Sequence, residues 1–254
     1  MSNADRVRID SHGIMTYFEN LQQGQYQIPP FQREVVWDRD VVKRLWESIY
    51  NFYPLRSILV WRNEIRLQNH SEIGGHLLHD GSSGDEFQYL IDGQQQTAAL
   101  LTSMYGGKSK GQDDRDPRLY VDLTAEEPLN MEDGVWRERF LFWDEIDDRG
   151  DELLQNVGRK KKYDLGLIVK LEDIAHCSGE VEKRLLDGGL TDYDAPARKQ
   201  LRRFREVFHN YKFIFIEVRG VAVDEVCKIF EHISHPREPL SMPDINILEK
   251  HLIH

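Results

Sequence analysis

The chain has 254 residues, of which 40% are hydrophobic and 30% charged, a composition typical of a globular protein rather than a disordered one. No apolar run approaches the ~18 residues of a membrane-spanning helix, which excludes a membrane protein of that class. The net charge of −11 argues against a general nucleic-acid-coating protein, whose surface should be basic. Two distant cysteines, Cys177 and Cys227, and a polar N-terminus without a signal peptide predict a reducing, cytoplasmic setting.

The first predicted elements are two helices joined by an extended segment. Residues 1–4 resemble a cloning remnant, so fold reasoning covers residues 5–254 as a single domain. A helix is predicted from Ile14 to Leu21 and should end at Gly24. Pro29 and Pro30 then exclude a central strand. A second helix should begin at Asp38, with the apolar face Val41, Val42, Leu45, Trp46, Ile49 and Tyr50.

A strand over residues 57–61 and a polar Gly/Ser-rich loop over residues 68–86 are predicted next. The stretch that follows is the most informative in the chain. Phe87, Tyr89 and Ile91 alternate as in a strand, and Asp92-Gly93 is typical of a tight turn. The period then becomes helical and ends at Gly106-Gly107. The buried face of this helix should be Thr97, Leu100, Leu101 and Met104.

This strand–turn–helix places Asp92 and three glutamines, Gln94, Gln95 and Gln96, at a helix N-terminus. Free N–H groups and the positive end of the helix dipole favour an anion such as phosphate there. Glutamine amides in the first turn suit hydrogen bonds to a polar ligand. The residues alone leave a second interpretation open, in which Asp92 caps the helix and the glutamines face solvent.

The remainder of the chain predicts a mixture of short strands and helices. Strands are expected over residues 119–123 and 140–143, and helices over most of residues 167–211, which includes a basic cluster between Arg198 and Arg205. The apolar run 212–218 predicts a strand buried on both faces. Helices should follow at 224–233, with Phe230 in the core, and near 243–252. The amphipathic pattern of the last predicted helix is still incomplete where the sequence ends at His254, which suggests a truncated domain. The expected class is α+β with a small mixed sheet, flanking helices and a helical portion.

Three motifs resemble the N-terminal domain of GmrSD-type, modification-dependent restriction endonucleases, which is related to the ParB/sulfiredoxin fold. Residues 91–97 (Ile-Asp-Gly-Gln-Gln-Gln-Thr) resemble the Asp-Gly-Gln-Gln-Arg motif of that family. Residues 28–33 (Ile-Pro-Pro-Phe-Gln-Arg), followed by Trp37, resemble its opening motif. Residues 230–234, followed by Pro239-Leu240-Ser241, resemble a third and more degenerate segment. The resemblance implies a ParB/sulfiredoxin-like core.

The resemblance also implies a nucleoside triphosphate and Mg²⁺ as cofactors of a module that regulates a nuclease. It assigns phosphate binding to the motif residues Phe31, Gln32, Arg33, Gly93, Gln94, Gln95, Thr97 and Ser234. The resemblance assigns catalysis to Asp92, Arg33, Gln95 and Gln96, and metal binding to Asp92. DNA would be reached through a separate or partner nuclease domain. Without the family, a salt bridge from Arg33 to a surface carboxylate would be the favoured interpretation.

Two departures from the family pattern predict weakened or lost hydrolysis. Gln96 replaces the arginine of the motif, and Ser234 replaces an asparagine. Losing one charge-assisted contact in a transition state reduces a rate by about 10²–10³.

Two competing functions remain, a non-catalytic DNA- or protein-binding module and a ParB-like nuclease. A nuclease would need carboxylates near Asp92, and only Asp85 and Glu86 are near it in sequence. The sequence does not determine the oligomeric state.

Overall fold

The computed structural model describes residues 6–29, 38–67, 72–79, 86–107, 116–124, 139–146 and 164–234. The helices are α1 (Ile14–Gln22), α2 (Arg39–Tyr50), α3 (Gln94–Tyr105), α4 (Trp143–Ile146), α5 (Leu171–Asp187), α6 (Pro196–Asn210) and α7 (Val223–Ser234). The strands are β1 (Val7–Gly13), β2 (Ile58–Asn63), β3 (Glu72–Ile73), β4 (His76–Leu77), β5 (Phe87–Asp92), β6 (Leu119–Asp122), β7 (Phe140–Phe142), β8 (Ile168–Lys170) and β9 (Lys212–Arg219). The predicted α+β class is confirmed. A ParB/sulfiredoxin-like core stays a prediction.

Contacts along the chain divide it into two compact units. Unit 1 comprises residues 1–35, 55–98 and 212–254, and unit 2 comprises residues 36–54 and 99–211. The boundary falls within α3, after its first turn. The single domain expected over residues 5–254 stays a prediction. None of the helices in the described ranges is long and apolar enough to cross a membrane.

Unit 1 is built on a four-stranded mixed sheet in the order β1-β9-β2-β5. The β1/β9 and β2/β5 pairs are antiparallel, and the central β2/β9 pair is parallel. The core face of α1 contains Ile14, Tyr17, Phe18 and Leu21, all buried as predicted. A cluster that includes Leu59, Trp61, Tyr89, Ile91, Val218 and, from α7, Val226 forms a second part of the core.

Two sequence predictions for unit 1 are wrong. The strand β9 is not buried on both faces, because Ile214 is 44% exposed. A run of apolar β-branched residues reports strand propensity as much as burial. Residues 72–77 form a two-stranded hairpin where a polar loop was predicted. Gly74 and Gly75 at φ +58° and +82° are the two positive-φ residues that a type I′ turn needs.

Unit 2 contains the antiparallel sheet β7-β6-β8 with α2, α5 and α6. The predicted apolar face of α2 is partly wrong, since Val41 is exposed and Lys43 is buried. Lys43 is stabilised there because its Nζ donates to both carboxylate oxygens of Glu145 at 2.7 Å. The basic cluster of α6 is ion-paired, and hydrogen bonds from Arg205 and Arg198 hold the pKa of Glu182 below its usual value.

Candidate functional site

The tight turn between β5 and α3 carries most of the predicted site. Gly93 adopts φ +97°, which confirms the prediction of a turn that requires glycine. The Thr97 N–H donates to Gly93 O at 2.8 Å and forms the first bond of α3. The N–H groups of residues 94–96 therefore have no carbonyl partner within the helix. With the positive end of the helix dipole, they form a site suited to an anion.

Asp92 lies one residue before the position that caps α3. Its Oδ1 accepts a hydrogen bond from the Gly93 N–H at 2.8 Å. Its Oδ2 is buried and has no hydrogen-bond partner within the described ranges. A capping carboxylate would instead bond N–H groups in the first helical turn. Asp92 therefore does not cap α3, and its Oδ2 is left without a partner among the described residues.

The three glutamines have different environments, which the sequence could not distinguish. Gln94 is buried, and its Nε2 donates to Leu90 O at 2.8 Å, so part of this side chain secures the turn. Gln95 is exposed. Gln96 is half-buried, and its Nε2 is a buried donor without a partner in the described part of the chain. The predicted ligand contacts of these glutamines stay predictions.

Thr97 supports the turn from the buried face of α3. Its Oγ1 donates to Gly93 O at 2.7 Å, so its proton is already used. The Tyr17 hydroxyl, 2.6 Å away, therefore donates to Thr97 Oγ1. Burial raises the pKa of Tyr17 well above its usual value, which keeps this donor protonated. The hydroxyl of Thr97 thus positions the turn, and its predicted phosphate contact stays a prediction.

Gln27 belongs to the same region and was not singled out from the sequence. It forms a parallel bridge to Tyr89, with its N–H donating to Gln88 O and its carbonyl accepting from the Leu90 N–H, both at 2.8 Å. Its side chain is buried, and its Oε1 has no partner among the described residues. The sequence signal available was its position directly before the Ile-Pro-Pro-Phe-Gln-Arg motif.

Several predicted site residues lie outside the described residues. These are Phe31, Gln32 and Arg33. Ser234 ends α7, but its side chain and that of Phe230 are not described either. The predicted proximity of Arg33 to the helix entrance, the approach of Ser234 to the same pocket and the burial of Phe230 therefore stay predictions.

The acidic residues near Asp92 bear on the nuclease interpretation. Within the described ranges, no group of three His, Cys, Asp or Glu side chains could hold a metal ion. Glu86 precedes β5 and Asp92 ends it, so about 20 Å of strand separates them. Glu86 is also paired with Arg62, whose Nε donates to its Oε2 at 2.6 Å. Glu86 therefore does not join Asp92 in a two-carboxylate metal site.

Replacing Gly93 by alanine tests how tightly the turn is built. An added Cβ would lie 3.0 Å from Ile58 Cγ1, and φ is +97°. Gly189 is a matched control, with φ +92° and open space around its Cβ position. We expect Gly189→Ala to lower the free energy of unfolding by about 1–2 kcal/mol through backbone strain alone. Gly93→Ala should lower it by about 1–3 kcal/mol more, because it also overpacks against Ile58.

Chemical denaturation of both variants measures the difference. Equal losses would show that Ile58 moves aside without cost. The double variant Gly93→Ala, Ile58→Ala removes both contacting γ carbons of Ile58, and its comparison with Ile58→Ala alone isolates the steric part.

Comparison with known protein families shows which family this chain is similar to. The family model described as the N-terminal domain of the GmrSD restriction endonuclease matches residues 14–252. This range includes the turn at Asp92-Gly93, Gln27 and all three motifs. No curated protein matches the chain.

Proposed function

This chain belongs to the family of GmrSD restriction endonuclease N-terminal domains, and on that premise we propose that it binds a nucleoside triphosphate and regulates a nuclease. Family membership makes it a module of a restriction system, a class that acts on DNA and serves in phage defence. The proposed nuclease is a separate or partner domain that the nucleotide-bound module would control. We further propose that this module acts in the cytoplasm.

One observation carries the proposal. Among the described residues of unit 1, the buried side-chain polar atoms without a partner belong to Gln27, Asp92 and Gln96. Each such atom costs about 1–3 kcal/mol when it stays unsatisfied. Two of these residues stand at the N-terminus of α3, beside N–H groups that suit a phosphate. A polar ligand at this N-terminus would supply the missing partners.

The carboxylate of Asp92 is the proposed protein ligand of Mg²⁺. A triphosphate beside an anionic side chain would be repelled unless a cation lies between them. Mg²⁺ is commonly held by one or two carboxylates together with phosphate oxygens and water. Asp92 Oδ2 offers one such ligand. The metal would supply charge neutralisation for the phosphates, and the protein would supply the donors that orient them.

The direction of the Gln27 segment supports a contribution from Arg33. Its bridge to Tyr89 is parallel, so the chain after Gln27 advances in the direction of β5, toward Asp92. Pro29 is still buried, and Arg33 is four residues further on. Four residues reach at most about 14 Å. We therefore propose Arg33 as the cationic clamp, with Phe31 and Gln32 as further contacts of the same ligand.

Titration of the purified protein with each nucleoside triphosphate, with and without Mg²⁺, tests the proposal. We expect Mg²⁺-dependent binding that weakens about tenfold or more in Asp92→Asn and Arg33→Ala, since each removes a charge-assisted contact. Glu86→Gln is a matched control, because it removes a carboxylate at the other end of β5. Binding equal in all four proteins would move the ligand elsewhere. No binding of any nucleotide would overturn the proposal and favour an interaction module.

A further inference from the structure

The exposed strand at one edge of the unit 1 sheet has the properties of an interaction surface. The strand β1 pairs with β9, and within the described ranges its outer edge meets no other strand. Val7 is 56% exposed and Ile9 is 72% exposed. Edge strands are commonly protected by proline, by a bulge or by charged side chains, lysine above all. Residues 7–13 contain neither proline nor lysine, their pairing with β9 is regular, and their two charged side chains, Arg8 and Asp10, are of opposite sign.

The backbone groups that face outward follow from the register. Val7 lies opposite Val218, and the Arg219 N–H donates to Arg6 O at 2.8 Å. In an antiparallel pair, hydrogen-bonded and non-hydrogen-bonded residues alternate. Residues 6, 8, 10 and 12 therefore bond to β9, and residues 7, 9 and 11 direct their N–H and C=O groups outward. Consistent with this, the Ser11 N–H donates to the Asp10 side chain at 2.8 Å and not to β9.

We propose that β1 pairs antiparallel with β1 of a second copy of this chain, across a two-fold axis at Ile9. In this register, residue 9 lies opposite residue 9, and residue 7 opposite residue 11. These are the outward-facing residues in both copies, so three hydrogen-bonded pairs form. The two four-stranded sheets then become one continuous sheet. Such a contact uses the same surface in both subunits, as a closed dimer requires.

The charges of β1 select this register. Arg8 of each copy lies opposite Asp10 of the other, in the closely spaced non-hydrogen-bonded positions. Both side chains are exposed, and they already approach each other within one strand, with Arg8 Nη2 3.7 Å from Asp10 Oδ2. A slip to the next register with the same outward residues would place Arg8 opposite Arg8 or Asp10 opposite Asp10. Like charges in that position are unfavourable.

The opposite face of the strand supplies apolar contacts. Ile9 is paired with Ile216, and Ser11 with Ile214, which is 44% exposed. In the dimer, the two Ile9 side chains become neighbours, and Val7 of one copy lies opposite Ser11 of the other. This would cover apolar surface that is exposed in the single chain. The interface is small, so the dimer should be weak and concentration-dependent.

Charge reversal provides a test of this pairing. Arg8→Asp and Asp10→Arg each place like charges opposite one another twice, and we expect each to weaken dimerisation by about 10- to 100-fold. An equimolar mixture of the two variants restores two opposite-charge pairs and should form a heterodimer. Sedimentation velocity at about 10–500 μM protein, a range that suits a weak dimer, measures both results. Circular dichroism and thermal unfolding verify that each variant is folded.

Any of three sedimentation results would overturn the proposal. The wild-type protein could be monomeric throughout this range. Both charge reversals could leave a wild-type dimer unchanged. The mixture could also fail to associate although each variant is folded and monomeric. Hydrogen exchange adds an independent readout, since the amides of Val7, Ile9 and Ser11 should gain protection with concentration. Protection that is high and independent of concentration would also count against the dimer, because another part of the same chain would then cover β1.

Discussion

Replacing Gln96 by arginine is expected to raise the rate constant of nucleotide hydrolysis by up to about 10²–10³-fold while changing binding much less. Gln96 is where the chain departs from the Asp-Gly-Gln-Gln-Arg motif. Its Nε2 is buried without a described partner, so its side chain is directed toward a protein-lined region and not to bulk solvent. An arginine there would place a fixed positive charge beside the N-terminus of α3. A charge that acts mainly on the transition state raises kcat rather than affinity.

Gln96→Met is the matched control for this experiment. Methionine has nearly the volume of glutamine and carries no charge, so this variant removes the amide without adding a cation. Phosphate release with Mg²⁺ and saturating nucleotide is therefore expected to rise in Gln96→Arg and not in Gln96→Met. Rapid wild-type turnover that Gln96→Arg leaves unchanged would contradict this account of Gln96.

Replacing Arg139 by methionine is expected to lower the free energy of unfolding by about 3–5 kcal/mol. The Arg139 side chain is fully buried in unit 2, and its Nη1 donates to both carboxylate oxygens of Glu47 at 2.7 and 2.8 Å. Its guanidinium also lies 4.1 Å from the centre of the Tyr50 ring. Methionine would fill much of the volume and leave the mostly buried Glu47 carboxylate without its cation. The loss arises mainly from this uncompensated charge.

The double variant Arg139→Met, Glu47→Leu separates charge from packing. Replacing a whole buried ion pair by apolar residues is often neutral or stabilising, so the double variant should recover much of the loss. Chemical denaturation of wild type, both single variants and the double variant gives the coupling free energy. A loss below about 1 kcal/mol in Arg139→Met, or no recovery in the double variant, would contradict the assigned role of this pair.

Local patterns in the sequence were sufficient to predict the strand, turn and helix around Asp92. The predicted face of α3, residues Thr97, Leu100, Leu101 and Met104, is buried. The predicted turn at Gly93 and the helix end before Gly106 both have glycine at positive φ. Asp38 caps α2 as predicted, with its side chain accepting from the Asp40 N–H. These features depend on helical periodicity and on the backbone freedom of glycine, which neighbouring residues determine.

Family membership was likewise accessible from the sequence, because it depends on motifs that can be compared without coordinates. The site itself was accessible only in part. Asp92 and the glutamines could be placed at a helix N-terminus, but nothing local distinguishes Gln94, bonded to Leu90 O, from the exposed Gln95. Gln27 was missed because its relation to β5 is a contact between segments about 60 residues apart.

Tertiary structure decided the features in which distant partners determine burial. Lys43 is buried and Val41 exposed because Glu145, 102 residues away, pairs with the lysine. The strand β1 exists because β9, some 200 residues later, offers it an edge, although the alternation of Val7 and Ile9 was visible. Ile214 is exposed despite an apolar run typical of a buried strand. Burial and pairing depend on which segments meet in the folded chain. A local sequence pattern identifies only one of the two segments in each contact.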